Sequence, residues 1–174
     1  MTLRVSLVLL VCLVATVAES VFPYLFHLRA ARFDLLLSVV LYLALNDEII
    51  TGAALSACAG YLGEISSATP AGLYTFLAVL TWAVVRVSAR GLRSDGGALS
   101  AVIAFGTSLV HSLLAAGLFY LVAPAPAEFG WHFTGALPSA LMTGLCAPFV
   151  FGALRRIDAL FIPVGDDPVP GRVR

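Results

Sequence analysis

Few residues in this chain carry groups able to do chemistry, and the most conspicuous is His111, in the middle of the apolar run "GTSLVHSLLAAG". An imidazole at membrane depth is by default a candidate for proton transfer or ligand binding. It can equally be satisfied within the fold, by Thr107 one helical turn behind it, by a backbone carbonyl or by a neighbouring helix. His27, His111 and His132 are scattered, and Cys12, Cys58 and Cys146 all fall in apolar stretches. That pattern has no zinc or haem spacing, so no metal or other cofactor is expected, and the cysteines read as small apolar side chains. Ser56 and His111 have no spacing that marks a nucleophile and its base. The chain also lacks GxSxG, HExxH, GxxxxGK(S/T) and a strand-borne GxGxxG, so a protein without enzymatic activity is expected.

The remaining candidates are acidic. The stretch "GYLGEISSATPAGLY" puts Glu64 at the end of a small-residue segment, where Gly52, Ser56 and Gly60 precede it at intervals of four. These four residues share one helix face, and with Gly63 they make a surface that admits another helix closely. It is the expected helix-packing face, and a carboxylate on its rim reads as structural or partner-binding. Glu19 and Asp34 border apolar stretches too, where each can also reach headgroup water. A charge at membrane depth costs about 3 kcal/mol unless paired or hydrated. Arg29 and Arg32 are therefore candidate partners of Glu19 and Glu64, in a polar rim of Glu19, Arg29, Arg32, Asp34 and Glu64, unless the two arginines are simply solvated.

The elements that must position these groups follow from composition. The 174 residues are 60% hydrophobic and 11% charged, with a mean hydropathy of +1.00; about a quarter of a soluble domain is charged. An all-α integral membrane protein is expected, one bundle of about six transmembrane helices over residues 1–160 and a flexible tail over 161–174. The spans are placed at Leu3 to Phe22, Phe33 to Leu45, Ile49 to Ile65, Pro70 to Val87, Leu99 to Val122 and Thr134 to Leu154. The second is short, about 20 Å as a helix, so it begins earlier, buries an end in the bundle or is partly re-entrant. Spans 2 and 3 form a tight hairpin across "NDE". Thr69 reads as the N-cap of the fourth span with Pro70 at its first position, and with Gly72 they form a hairpin between spans 3 and 4. "RRIDALF" is expected at the membrane surface, and the zero net charge argues against nucleic acid as a ligand.

The first 18 residues also fit a secretory signal, but the apolar stretch runs on to Phe22, which favours a retained first span. The chain has no lysine. With the N-terminus cytoplasmic, Arg4, Arg86, Arg90, Arg93, Arg155, Arg156, Arg172 and Arg174 fall inside, and only Arg29 and Arg32 outside. The positive-inside rule thus puts both termini in the cytoplasm. Glu19, Asp34 and Glu64 then share the outer side with His27 and the loop "APAPAEFGWHF", whose Phe129, Trp131 and Phe133 suit an interfacial belt or a lid.

The combination "FDLLLSVVLYLAL" followed by "GYLGEISSATPAGLY" resembles the rod shape-determining protein MreD family of bacterial inner-membrane proteins. Asp34 before a leucine-rich stretch, then Glu64, Pro70 six positions on and Gly72 two further, meet the family's spacing. Phe33 and Glu64 stand where the family commonly has proline and aspartate, and the likeness covers about residues 30 to 80. The resemblance implies a multi-pass inner-membrane protein, a non-enzymatic subunit of the cell-elongation and peptidoglycan-synthesis machinery. Its implied partners are the bitopic protein MreC and, through it, the RodA-like polymerase and class B penicillin-binding protein, within the lipid bilayer. The family is similar in architecture to the substrate-binding membrane subunits of energy-coupling-factor transporters. That likeness implies an alternative, in which the outward polar cluster walls a small-molecule pocket.

Overall fold

The computed structural model describes residues 2–25, 34–67, 71–88, 97–122 and 126–161. They form six helices in chain order: α1 (Thr2–Leu25), α2 (Leu35–Asn46), α3 (Ile49–Ser67), α4 (Leu73–Ser88), α5 (Gly97–Val122) and α6 (Pro126–Ala159). Four contain stretches long and apolar enough to cross a membrane, Leu3–Val21, Ile49–Ser67, Ala98–Leu118 and Gly135–Ala159. The protein is in this sense an all-α, multi-pass membrane protein. The other two apolar helices, α2 and α4, are shorter.

The short second span finds its explanation in packing. Nine consecutive residues of α2, Leu36 to Ala44, are buried, and a helix that is apolar all round belongs in a core. Every other helix touches α2. Val8 and Cys12 of α1, Leu55 and Ala59 of α3, Trp82 and Val85 of α4, and Phe151 and Leu154 of α6 fill the same core as α2. The Tyr42 ring meets Phe151 edge-on at 5.4 Å. With 12 residues, α2 is about 18 Å long and cannot reach across a hydrocarbon layer of about 30 Å. Its terminal amides and carbonyls draw partners from the surrounding helices. The outward surface is apolar instead: Leu10, Leu13, Val14, Val17 and Val21 of α1 are exposed, as are Val102, Val110 and Leu113 of α5.

Several boundaries differ from the sequence reading by a few residues, and those of α4 and α6 have structural consequences. α4 starts at Leu73 and not at Pro70, because Gly72 in the preceding turn has φ +89°, a left-handed conformation that cannot continue a right-handed helix. α6 starts at Pro126, so the backbone of 126–133, expected as a loop, is helical, and the helix runs on past Pro138 and Pro148. "RRIDALF", outside the expected sixth span, begins as helix. Its residues to Ala159 extend α6, which turns Asp158 toward Arg4 near the start of α1. The beginning of α1 and the end of α6 thus lie at one end of the bundle.

Candidate functional site

Polar residues gather at both ends of α2 and in a seam between them. At its N-terminus, Asp34 is the cap: the Leu37 N–H donates to Asp34 Oδ1 at 3.1 Å. Glu19, from α1, adds a second acceptor, taking the Leu36 N–H on Oε1 at 2.8 Å. The first amides of a helix have no partner inside it and point where its dipole favours negative charge, so both carboxylates meet the group that needs them. The Asp34 N–H in turn donates to Thr143 Oγ1 of α6 at 3.2 Å.

Glu64 performs the same service for α4. Its Oε1 accepts the Gly72 N–H at 2.6 Å, and its Oε2 accepts from the Thr75 hydroxyl at 3.1 Å and, more weakly, from the Thr75 N–H at 3.5 Å. The expected Thr69 cap and Pro70 lie outside the described residues, as do Arg29 and Arg32. Glu19 and Glu64, expected to seek those arginines, bond helix amides.

His111 belongs to the α2 end of this arrangement. The imidazole is buried, with Nδ1 3.1 Å from Thr81 Oγ1 of α4 and Nε2 3.9 Å from Asp34 Oδ2. Thr107 is not its partner; Thr81 holds that place, from a helix distant in sequence. The three side chains line up as carboxylate, imidazole and hydroxyl. The 3.9 Å gap exceeds hydrogen-bond distance, and Thr81 is itself buried. The Thr81 bond ties α5 to α4, and the imidazole stands close to the Asp34 cap of α2. Ser56 Oγ is buried without a hydrogen-bond partner and so is not engaged with His111.

The small-residue face of α3 is where the structure most alters the sequence reading. It packs inward. A Cβ on Gly60 would stand 2.7 Å from Thr75 Cα and 2.8 Å from both Ala78 Cβ and Tyr74 O of α4. One on Gly52 would stand 2.9 Å from Trp82 Nε1 and 3.3 Å from the Leu43 carbonyl, and one on Gly63 3.3 Å from Leu36 Cδ1. Gly52, Ser56 and Gly60 are buried between α3 and its neighbours α2 and α4, with Gly63 at the margin. Close backbone approach is what small residues permit, but here the approaching helices are this chain's own.

At the opposite end of α2 lies a constellation that sequence reasoning missed. Arg4 of α1 pairs with Asp47, the C-cap of α2, and with Asp158 of α6, whose Oδ1 accepts from Arg4 Nε at 2.7 Å. The Tyr42 hydroxyl donates to Asp158 Oδ2 at 2.7 Å. Arg86 of α4 donates to the Ala44 carbonyl at 3.0 Å, so an orphan carbonyl of α2 is met as well, and Asn46 Nδ2 donates to the Tyr42 carbonyl at 3.0 Å. The available signal was topological: with six alternating helices, Arg4, "NDE" and Asp158 must fall at the same end.

Among the described residues no group of three histidine, cysteine or acidic side chains could hold a metal ion. No family model, curated protein or solved structure matches the chain.

Proposed function

We propose that the protein is a non-enzymatic scaffold subunit of a bacterial cell-elongation and peptidoglycan-synthesis machinery, of the MreD kind. It would sit in the inner membrane with both termini cytoplasmic and bind a bitopic MreC-like partner by helix packing. The observation that carries this reading is that the residues of the MreD-like spacing have joint architectural work. Asp34 caps α2, and Glu64 caps α4 through the N–H of Gly72, the glycine that the spacing requires. A motif that builds helix starts suits a scaffold. In architecture the bundle would resemble the substrate-binding membrane subunits of energy-coupling-factor transporters.

The rival, a small-molecule-binding transporter subunit, needs free polar groups at this end. Glu19, Asp34 and Glu64 are already engaged by backbone amides, which favours the scaffold. An enzyme would need its hydroxyl within reach of substrate, whereas Thr81 beside His111 is buried.

The test is purification of the tagged chain from mild detergent after co-expression with the bitopic MreC-like protein and the RodA-like polymerase with its class B penicillin-binding protein. Recovery of the bitopic partner in a stable complex is expected. A chain that leaves the partner behind and instead retains a small molecule, released on Glu64→Ala, overturns the proposal.

A further inference from the structure

His111 is an ionisable group that the closing of helix ends leaves unused. Glu19, Asp34 and Glu64 are committed to backbone amides, and Asp47 and Asp158 to Arg4. The imidazole caps nothing, yet it is buried where α4, α5 and the start of α2 meet. An ionisable side chain at membrane depth is a functional candidate.

Its two nitrogens face unlike groups. Nδ1 is 3.1 Å from the Thr81 hydroxyl, and Nε2 is 3.9 Å from Asp34 Oδ2, the carboxylate oxygen not spent on the Leu37 N–H. A carboxylate only accepts, so the hydrogen of the neutral ring belongs on Nε2, and Nδ1 accepts from Thr81. Among the described residues the charged groups on this side are Asp34 and Glu19 of α1, which take the adjacent amides of Leu37 and Leu36. α6 presents the Thr143 hydroxyl to the Asp34 N–H, and α4 brings Tyr74 as well as Thr81. The Asp34 side chain is 29% exposed and that of His111 7%, so the carboxylate links the buried ring to the surface.

α5 packs chiefly on α6 and only lightly on α4. Its contacts with α4 include a small apolar group, Leu73, Leu77 and Ala115, set apart from the main core, and the Thr81 bond. A change at His111 therefore acts on a thin interface.

We propose that His111 is a proton-operated latch, which as neutral imidazole holds α5 to α4 through Thr81 and as imidazolium exchanges that bond for an ion pair with Asp34. The proton comes from water and fills the Nδ1 lone pair, so both nitrogens become donors and the ring gains one positive charge. Imidazole is the side chain that ordinarily titrates between about pH 5 and 8. An N–H bonded to a carboxylate lies about 2.8 Å from it, so pairing moves the ring about 1 Å toward Asp34. The ring is rigid and its partners stand on opposite sides. The same movement draws Nδ1 away from Thr81 and loosens α5 from α4.

The test uses the full chain in lipid nanodiscs, with His27→Gln and His132→Gln leaving His111 as the single histidine. Nitrogen-15 magnetic resonance from pH 5 to 9 is expected to show a neutral ring with its hydrogen on Nε2 and one titration to imidazolium. Asp34→Asn, which keeps a capping oxygen, should move the midpoint about one unit to lower pH. Thr81→Val should shift the Nδ1 signal of the neutral ring and leave that of the imidazolium nearly in place. Opening of the seam is read from Ala115→Cys in a chain otherwise freed of cysteine by Cys12→Ala, Cys58→Ala and Cys146→Ala. Its alkylation rate, taken relative to the same chain with His111→Gln at each pH, should rise at least threefold below the midpoint. A ring whose protonation does not change over this range, a neutral ring with its hydrogen on Nδ1, or an alkylation ratio indifferent to pH overturns the latch. None of these outcomes involves a partner protein, so each leaves the scaffold reading standing.

Discussion

The two ends of α2 solve one problem in different ways. At its N-terminus the carboxylates of Glu19 and Asp34 accept from backbone amides, and Glu64 does the same for α4 nearby. At its C-terminus, Asp47 and Asp158 share Arg4, and Arg86 meets a backbone carbonyl. The difference follows helix polarity: an N-terminus presents donors and positive potential, which carboxylates meet directly. A C-terminus presents carbonyls, so a cation is useful and acids need one of their own. A helix too short to reach water at both ends requires both solutions.

The comparison can be broken at several points. The largest effect is expected at neither charged end but between them: Gly60→Leu drives a side chain into the backbone of α4 at Thr75. Such overpacking costs about 3 kcal/mol or more where backbone cannot yield, and a strongly lowered melting temperature in detergent is the expected readout. Gly63→Ala, whose added carbon meets only the end of the Leu36 side chain, should melt close to the unmodified protein.

Next comes the arginine-held end. Arg4→Ala leaves the buried Asp47 without its cation and is expected to cost about 3 to 5 kcal/mol. Adding Asp47→Asn and Asp158→Asn to Arg4→Ala should recover part of that loss in the same thermal melt. No recovery would mean that Arg4 acts through packing instead of charge.

The amide-capped end should respond more locally. Glu64→Ala is expected to leave global unfolding little changed while hydrogen exchange quickens at the amides of Gly72 and Thr75, the donors it loses. Glu64→Gln, which keeps an acceptor oxygen, should show a smaller acceleration. Between the two ends, Thr81→Val removes one buried hydrogen bond to His111 and should cost about 1 kcal/mol. The nuclear magnetic resonance signals of the imidazole should shift with it while those around Arg4 stay in place.

Much of the architecture was legible beforehand. The apolar runs located all six helices, and the small-residue spacing of Gly52, Ser56 and Gly60 marked a close helix contact that exists. The partner of that contact was not legible, since a face that admits any helix does not say which one. The roles of Glu19 and Glu64 were hidden for a related reason. Sequence displays charged side chains as potential partners for one another, but the unpaired amides at a helix start appear only once its first residue is known, and Pro70 and Thr69 pointed to a start three residues early. Asp47 and Asp158 looked like solvated joint and surface residues because nothing local distinguishes them from such residues.

By itself, then, the sequence determined that this chain is a membrane-embedded helical bundle, because about 20 apolar residues in a row have few other stable forms. It also determined where the helices lie and which residues were too polar to face lipid. The tertiary structure alone decided that the shortest helix is the innermost, that its ends are closed by Glu19, Asp34, Arg4 and Arg86, and that the glycine face of α3 is spent on α2 and α4. The physical reason is that hydropathy is a property of a segment, whereas the satisfaction of a buried charge or amide depends on groups brought together from helices far apart in the chain.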